Sequence, residues 1–580
     1  MSASFSSPSK YSGKGMFQIQ RSGPVHDVVV IGSGAGGGTA VHTLTKLGVN
    51  VLLLEAGGPL NPAQDFKEHL MPWQVPHRGA GEDGRFYFGG MKYGFFEAPN
   101  GYWDIPGEPY TVAPGNRFDW FRSRILGGRT NHYGRVSLRF AEYDFKPYSS
   151  DGLGTDWPIT YEDLAPWYDK AEGFIGVHGT REGIRSAPDG IFQTPPALRV
   201  HEALIQRAGK KLGIPVIPAR KAMITRAHNG RAACHYCGHC GRGCLTASAY
   251  SSSQVQILPA MKTGRLRIIH HAMVRELIPG KDGLVEQISY IDKTTRQEKR
   301  VRCRAVVLAA SACESARILL NSRSSQFPDG LANSSGAVGR YLTDTVGLTV
   351  RGQVPALESL MRYDSDGIRG SHVYVPWWLY DRKNDFPRGY HIELGGTGFQ
   401  QPHIGTFNST AAFRQGFGKE LKTHIRNDYG SFVSCTGRGE MIPNDKSYCE
   451  IDPTVVDEWG IPVLRFHFDW SDHEMKQARH MRQTFTSILE TLGARPQTVA
   501  ATGISTGGEV IHEVGTVRMG TDRRTSVLNG HSQAHDVKNL FVADGGSFVS
   551  NPDKNPTLTI IALAWRMSEY LAEEMRTGNV

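Results

Sequence analysis

At 580 residues the chain is longer than one hydrophobic core usually supports, so we expect two or more domains. Its 65 Lys and Arg residues exceed its 56 Asp and Glu residues, but they are scattered, and no basic face with interleaved aromatic residues indicates a nucleic-acid partner. No apolar run approaches the roughly 18 residues that a membrane-spanning helix needs.

The first predicted element is a nucleotide-binding unit in the stretch "HDVVVIGSGAGGGTAVHTLTKLGVNVLLLEAG". Its apolar runs predict buried parallel strands over Val28–Ile31 and Val51–Leu54, with a helix over about 38–47 between them. In the connecting Gly-x-Gly-x-x-Gly motif, the first glycine permits a tight turn, the second admits a pyrophosphate, and the third lets helix and strand pack closely. The acid after the second strand can accept hydrogen bonds from ribose hydroxyls. The predicted dinucleotide-binding residues of this unit are Gly32, Gly34, Ala35, Gly36, Gly37 and Glu55.

Four of the eight cysteines fall in the short stretch "ACHYCGHCGRGC". The spacing of Cys234, Cys237, Cys240 and Cys244 matches the bacterial ferredoxin run and predicts an iron–sulfur cluster. Either all four bind one 4Fe-4S cluster, or three bind a 3Fe-4S cluster and one is spare; His235 and His239 could also serve as ligands. Zinc and structural or redox thiols are the alternatives, although zinc usually takes two well-separated pairs and disulfides would be strained across such short loops.

The C-terminal stretch completes the nucleotide-binding unit. A strand is predicted over Leu540–Ala543, followed by the turn Asp544–Gly546, a polar loop, and a helix with an apolar stripe that begins near Pro556. An N-terminal nucleotide-binding unit completed by a distant strand, Asp-Gly turn and helix is typical of two-domain flavoproteins. The sequence therefore favours FAD over NAD.

Further motifs resemble those of the glucose–methanol–choline (GMC) oxidoreductase family along nearly the whole chain. "RILGGRTNHYGR" at Arg124–Arg135 resembles the family's glycine-rich flavin loop, and "AVVLAASACESARILLNS" at Ala305–Ser322 resembles its second signature. "VGRYLTDT" resembles the exit from the FAD domain, although the family often has a histidine where Thr345 stands.

This resemblance implies an α/β fold in which a Rossmann-like FAD-binding domain is interleaved with a substrate domain built on an antiparallel sheet. The implied divisions are a discontinuous FAD-binding domain over 20–345 with a cysteine-cluster insert at 228–250, a substrate-binding domain over 346–504, and a C-terminal FAD-binding part with the catalytic residues over 505–580.

Flavin-dependent alcohol oxidation needs a base that takes the hydroxyl proton while a hydride leaves for flavin N5. His512, in "IHEVGTVRMG", matches the segment that carries the family's catalytic histidine, and Asn555, in "DKNPTLT", matches the second catalytic position. An asparagine there is similar to the pyranose oxidase and bacterial sugar dehydrogenase branch, whereas glucose oxidases have a second histidine.

The resemblance also implies a set of flavin contacts. His132 is in register with a histidine that is bonded covalently to the flavin in the pyranose oxidase branch; many relatives lack that bond, and we expect contact without it. Val274 resembles the backbone clamp on the adenine, and Asp544 is expected near the pyrophosphate. The remaining implied cofactor-binding residues are Gly127, Gly128, Asn131, Gly545, Asn555, Pro556 and Thr557.

Together these features predict an FAD-dependent dehydrogenase that oxidises a secondary hydroxyl of a sugar or glycoside, similar to a glucoside 3-dehydrogenase. The cysteine cluster would pass electrons to a cytochrome c-type acceptor, and a small helper subunit is a further expected partner. Two alternatives stay open: an oxygen-using pyranose or alcohol oxidase with a zinc or thiol loop, and a subunit that binds FAD without turning over substrate. The chain has no visible export signal, which leaves the cytoplasm and co-export with a partner both open.

Overall fold

The computed structural model describes residues 24–66, 68–70, 74, 101–102, 105–358, 360, 367–396, 414, 416–498 and 500–580. Residues 20–23, at the start of the predicted FAD-binding domain, lie outside the described residues. Within the described ranges, no helix combines the length and the apolar character needed to cross a membrane.

The strands in these ranges are β1 (Val25–Ile31), β2 (Val51–Leu54), β3 (Gly101–Tyr102), β4 (Thr111–Val112), β5 (Arg122–Ser123), β6 (Val177–His178), β7 (Phe192–Gln193), β8 (Ile217–Pro218), β9 (Leu266–Ile269), β10 (Ala272–Pro279), β11 (Val285–Asp292), β12 (Gln297–Leu308), β13 (Val346–Gln353), β14 (Val373–Val375), β15 (Tyr390–Gly396), β16 (Phe432–Gly439), β17 (Tyr448–Val456), β18 (Pro462–His467), β19 (Ala500–Ala501) and β20 (Leu540–Val542). The α-helices are α1 (Ala35–Lys46), α2 (Pro62–Asp65), α3 (Pro147–Asp151), α4 (Tyr161–Ile175), α5 (Val200–Leu212), α6 (Leu258–Met261), α7 (Ala312–Asn321), α8 (Gly418–Asp428), α9 (Asp472–Thr491) and α10 (Thr557–Thr577).

The first large sheet has the order β10-β11-β12-β1-β2-β9, with β20 beside β12. Strands β20, β12, β1, β2 and β9 are parallel, whereas β11 is antiparallel both to β10 and to the first half of β12. All four residues of β2 and the last four of β1 are buried, as expected for parallel strands that are covered on both faces. Helix α1 packs against the C-terminal helix α10. Both predicted halves of the nucleotide-binding unit therefore join in one sheet.

The second large sheet is antiparallel, in the order β19-β13-β16-β15-β14-β8. All of its strands except the edge strand β8 fall within the predicted substrate domain. Helix α9 approaches β16 so closely that a Cβ at Gly437 or Gly439 would overlap Met481 or Gln477 of that helix. The predicted α/β fold, with a Rossmann-like sheet and a separate antiparallel sheet, is confirmed.

A cavity of about 520 Å³ is lined by residues from both sheets. Its lining includes the carboxyl ends of β1 and β2, side chains of β15 and β16, and the start of α10. In open α/β sheets, ligands bind outside the carboxyl ends of the parallel strands. The fold therefore places the candidate site at this cavity.

Candidate active site

The turn between β1 and α1 forms one part of the cavity wall. Gly32 has φ +94°, and a Cβ there would overlap the carbonyl oxygen of Ala309. Gly34 differs, since a Cβ there would have no atom beyond its immediate neighbours within 4 Å and would project from the turn that lines the cavity. Helix α1 begins directly after it, at Ala35, so the first N–H groups and the positive end of the helix dipole are available to an anion. The turn fits the pyrophosphate of a dinucleotide.

Glu55 follows β2 and lines the same cavity. Its carboxylate accepts hydrogen bonds from the Gly57 N–H at 2.7 Å and from the Ser33 hydroxyl, and burial raises its pKa. The Ser33 hydroxyl oxygen also accepts a hydrogen bond from the Gly127 N–H at 2.8 Å. Glu55 therefore lies where ribose hydroxyls can donate to it, and Ser33 connects it to the glycine-rich loop.

Asp544 lies just after β20 and binds loops from both halves of the nucleotide-binding unit. Its carboxylate accepts hydrogen bonds from the Gly546 N–H at 2.8 Å, the Ser311 N–H at 3.0 Å and the Ser315 hydroxyl at 2.6 Å. Burial raises its pKa, and these hydrogen bonds act in the opposite direction. Asp544 thus stabilises the loop wall of the cavity.

Most of the predicted cofactor-binding residues line the cavity, and three do not. Gly37 packs where a Cβ would overlap the Gly32 carbonyl oxygen, and Gly127, with φ +90°, is bonded to Ser33. The Asn131 amide donates hydrogen bonds to backbone carbonyls of its own loop at 3.0 and 3.1 Å. These three residues stabilise the loops behind the wall. The predicted residues on the wall are Gly32, Gly34, Ala35, Gly36, Glu55, Gly128, His132, Val274, Asp544, Gly545, Asn555, Pro556 and Thr557.

A second group of polar side chains lines the cavity around His512. Its Nδ1 lies 2.9 Å from Thr345 Oγ1, which also accepts a hydrogen bond from Asn551 Nδ2 at 3.2 Å. Its Nε2 lies 3.3 Å from Asn555 Nδ2, which also donates to Glu393 Oε1 at 3.2 Å. Among the described residues, the buried Oδ1 of Asn555 has no hydrogen-bond partner. The structure thus brings together His512 and Asn555, the predicted pair, beside an acceptor oxygen that a bound hydroxyl can use.

The loop that carries His512 is anchored by Asp344. Its carboxylate accepts hydrogen bonds from the His512 N–H at 3.0 Å and the Gly508 N–H at 2.8 Å. Burial and the neighbouring charge of Glu513 raise the pKa of Asp344 to about 7. The backbone at Gly508 and at His512 is therefore bound to one buried carboxyl group.

The surroundings of His512 keep its imidazole neutral. Burial, together with the nearby charge of Arg438, lowers the pKa of His512 to about 3, while Glu393 acts in the opposite direction. In the tautomer whose Nδ1–H donates to the Thr345 hydroxyl, Nε2 carries the lone pair that can accept a proton from a ligand. The arrangement can therefore act as a general base on a hydroxyl group.

Glu393 and its neighbours were not predicted from the sequence. His391 and Glu393 alternate along β15, which places them on one face, and Arg438 of β16 pairs with His391 in the register. Arg438 Nη2 lies 3.1 Å from Glu393 Oε2. The only signal in the sequence is two ionisable residues two positions apart in an apolar strand, and their proximity to His512 depends on folding.

His132 is buried at the cavity wall. Burial, with the neighbouring charge of Arg135, lowers its pKa to about 3. Its ring lies edge-on to Phe121, with the centroids 5.6 Å apart. A neutral imidazole in this place fits contact with a flavin, and contact without a covalent bond stays the prediction.

The cysteine cluster lies beside the cavity, whose wall includes Cys240. Cys240 and Cys244 are buried in an apolar group with Met223, Ala249 and Ile368. Buried free cysteines commonly behave as small hydrophobic side chains. The two inner thiols therefore pack as part of a small core.

The arrangement of these thiols does not fit the predicted metal cluster. In the part of the chain that the structure describes, no group of three or more His, Cys, Asp or Glu side chains has the arrangement of a metal site, and all eight cysteines are free. Burial raises the pKa of the Cys234 and Cys237 thiols to about 12, and His239 Nδ1 is bonded to the Glu68 carbonyl at 2.6 Å. The iron–sulfur prediction is not supported here, because two of the four thiols pack into an apolar group and the described residues show no metal-holding arrangement.

Comparison with known proteins gives the context of this site. Family models described as GMC oxidoreductase match residues 27–346 and 443–564. The chain is 30% identical to 2-methyl-1,2-propanediol dehydrogenase from Mycolicibacterium austroafricanum over 94% of this chain and 95% of the relative. It is 26% identical to the fructose dehydrogenase large subunit from Gluconobacter japonicus, over 95% and 98%.

A solved structure supports the fold. Pyridoxine 4-oxidase from Mesorbium loti superposes with a TM-score of 0.57 at 17% sequence identity, over 94% of this chain and 99% of that structure. The matched family model covers the β1–α1 turn and the glycine-rich loop, and the C-terminal model covers His512 and Asn555. The chain therefore belongs to the GMC oxidoreductase family and is an FAD-dependent oxidoreductase that acts on CH–OH donors.

Proposed function

We propose that this protein is a dehydrogenase that oxidises a secondary hydroxyl group of a sugar or glycoside. The observation that carries the proposal is the 3.3 Å contact between His512 Nε2 and Asn555 Nδ2, in the wall of the cavity that also contains the pyrophosphate turn. A neutral base beside an amide can bind one hydroxyl group from two sides. The similarity to the large subunit of a fructose dehydrogenase supports a sugar as substrate.

In the proposed reaction, the substrate hydroxyl lies between His512 and Asn555. Nδ2 of Asn555 donates to the hydroxyl oxygen, and its unpartnered Oδ1 accepts from a neighbouring hydroxyl of the same sugar. His512 takes the hydroxyl proton at Nε2, while the Nδ1 contact with Thr345 holds the ring orientation. Glu393 favours the imidazolium that results. FAD, when bound, supplies the hydride acceptor at flavin N5.

The electron acceptor is the second part of the proposal. A small helper subunit and a cytochrome c-type acceptor remain the expected partners, and one relative is itself named as a large subunit. Because the thiols near Cys240 do not form a metal-holding group in the described residues, no electron-transfer step is assigned to them. An oxygen-using oxidase is the competing candidate.

Anaerobic addition of methyl α-glucoside to the purified holoenzyme is expected to bleach the flavin absorbance and to yield a keto sugar oxidised at carbon 3. The reason is that a glucoside presents adjacent secondary hydroxyls to both atoms of the Asn555 amide. Stopped-flow absorbance and product NMR measure this. Bleaching by simple primary alcohols but by no sugar would contradict the proposal. Hydrogen peroxide formed in step with turnover in air would favour the oxidase.

Metal and labile-sulfide analysis of anaerobically purified protein tests the cysteine cluster. The prediction from the spacing requires three or four irons with matching sulfide per flavin, according to cluster type. It also requires an electron paramagnetic resonance signal that changes on substrate addition and is lost in Cys240→Ser. The thiol packing described above predicts neither iron nor sulfide. Zinc without sulfide would favour the oxidase with a structural loop.

A further inference from the structure

Lys221 is a buried cation in the wall of the same cavity. Only 6% of its surface is exposed, and its Nζ donates a hydrogen bond to the Arg369 carbonyl oxygen at 3.1 Å. Its backbone is bound on both sides to His178, at 3.0 and 3.2 Å. An ammonium group has three N–H donors, so this rigidly placed side chain has donors left for a ligand.

The carboxylates around Lys221 are engaged with other groups. The two that act on its charge are Glu393 and Glu202. Glu393 pairs with Arg438 at 3.1 Å and accepts from Asn555 at 3.2 Å. Among the described residues, no carboxylate oxygen forms an ion pair with Lys221. A buried charge without a counterion is unfavourable, so an anionic ligand would stabilise this wall.

The Glu202 carboxylate, like that of Glu393, is fully occupied by hydrogen bonds to other groups. It accepts hydrogen bonds from the His372 N–H at 2.7 Å, the Ser371 hydroxyl at 3.2 Å and the Arg199 N–H at 2.8 Å. Rotation of this carboxylate toward Lys221 would leave those buried donors unpaired. Glu202 is therefore not available as a counterion, and burial lowers the pKa of Lys221 to about 8, which leaves the ammonium mostly protonated at pH 7.

Lys221 lines the same cavity as the site of chemistry. Glu393, Asn555 and His512 are in that wall too, and Asn555 Nδ2 donates to Glu393 Oε1 at 3.2 Å. One molecule in the cavity can therefore place a hydroxyl at His512 and a second group at Lys221. A single ammonium neutralises a singly charged carboxylate, whereas a dianionic phosphate would keep one negative charge without a partner in the buried wall.

We propose that Lys221 binds the carboxylate of the substrate, so that the preferred substrates are sugar acids and their glycosides. This inference rests on the proposed function, because it identifies a substrate class for the same site. Lys221 is then a specificity-determining residue. Neutral sugars leave its buried charge without a counterion, and a carboxylate supplies that counterion through a charge-assisted hydrogen bond.

The test compares methyl glucoside with methyl glucuronide, which differ only at carbon 6, as reductants of the flavin in anaerobic holoenzyme. We expect kcat/KM for the glucuronide to exceed that for the glucoside by about tenfold or more, as a charged hydrogen bond implies. Lys221→Met should bring this ratio close to one, and Lys221→Arg should retain part of it. Lys538→Met, at an exposed site outside the cavity wall, should leave the ratio unchanged.

A ratio near one in the native enzyme, or equal loss on both substrates in Lys221→Met, would overturn the inference and leave the proposed function intact. If neither glycoside reduces the flavin, the proposed function fails. The role of Lys221 is then tested by the binding of glucuronate and glucose to the oxidised holoenzyme. Difference spectra of the oxidised flavin should then show glucuronate binding more tightly than glucose in the native holoenzyme, with the difference lost in Lys221→Met. Glucose 6-phosphate binding more tightly than glucuronate would contradict the choice of a carboxylate.

Discussion

Replacement of His512 by alanine is expected to slow substrate-dependent reduction of the flavin by about 10²- to 10⁴-fold, the usual contribution of general-base catalysis. The imidazole is the proposed base at the cavity wall and is unprotonated because burial lowers its pKa to about 3. Asn555 cannot replace it, because an amide does not accept protons. Stopped-flow absorbance under anaerobic conditions measures the rate, and flavin released on denaturation measures the FAD content, which we expect to be unchanged.

His535→Ala is the matched control. His535 is a half-buried histidine whose Nε2 lies 3.1 Å from Ser526 Oγ, and it is outside the wall of the cavity. Its loss should leave the reduction rate unchanged. Equal rates in native protein and His512→Ala would contradict the proposed base. If no substrate reduces the flavin in either form, the protein would instead be a carrier subunit that binds FAD without turnover.

Much of the nucleotide-binding half follows from local sequence, because buried parallel strands require apolar runs and tight turns require glycine. The strand over Val51–Leu54 is as predicted. The first helix begins at Ala35, earlier than its predicted start near residue 38, because three consecutive glycines conceal it. Glycine is a poor helix former, yet Gly36 lies in the helix. A glycine is required there because close packing against Ala543 leaves no room for a Cβ. Tertiary packing overrides propensity there.

The candidate site was only partly predictable, for a different physical reason. His512 and Asn555 were identified because short motifs surround them, whereas Glu393 and Lys221 lie in stretches with no such motif. They reach the cavity through sheet register and backbone bridges that join distant segments. Thr345 stands where the family often has a histidine, and the structure gives it a contact with His512 Nδ1. The cysteine spacing indicated an iron–sulfur cluster. Spacing alone, however, cannot show that two of the thiols pack into an apolar group.

Gly34→Ala is expected to lower the affinity for FAD by about tenfold or more while the apoprotein keeps its stability. A Cβ at this position meets no protein atom within 4 Å, and φ is −62°, so the alanine fits the folded backbone. The methyl group would instead occupy the space that the pyrophosphate must approach at the start of α1. Fluorescence titration of apoprotein with FAD measures the affinity, and urea unfolding of the apoprotein measures the stability.

Substitutions at two further glycines distinguish an effect on cofactor binding from an effect on folding. Gly36→Ala places a Cβ against the Ala543 carbonyl oxygen, so it should destabilise the apoprotein itself, by about 3 kcal/mol as overpacking does. Gly173→Ala, in α4 and away from the cavity wall with no atom within 4 Å of its Cβ, should keep FAD affinity and raise stability by about 0.5–1 kcal/mol. If Gly34→Ala lowers the stability of the apoprotein as Gly36→Ala does, the turn is a packing element. If it lowers the affinity for FAD alone, the open space beside Gly34 is the place of the pyrophosphate.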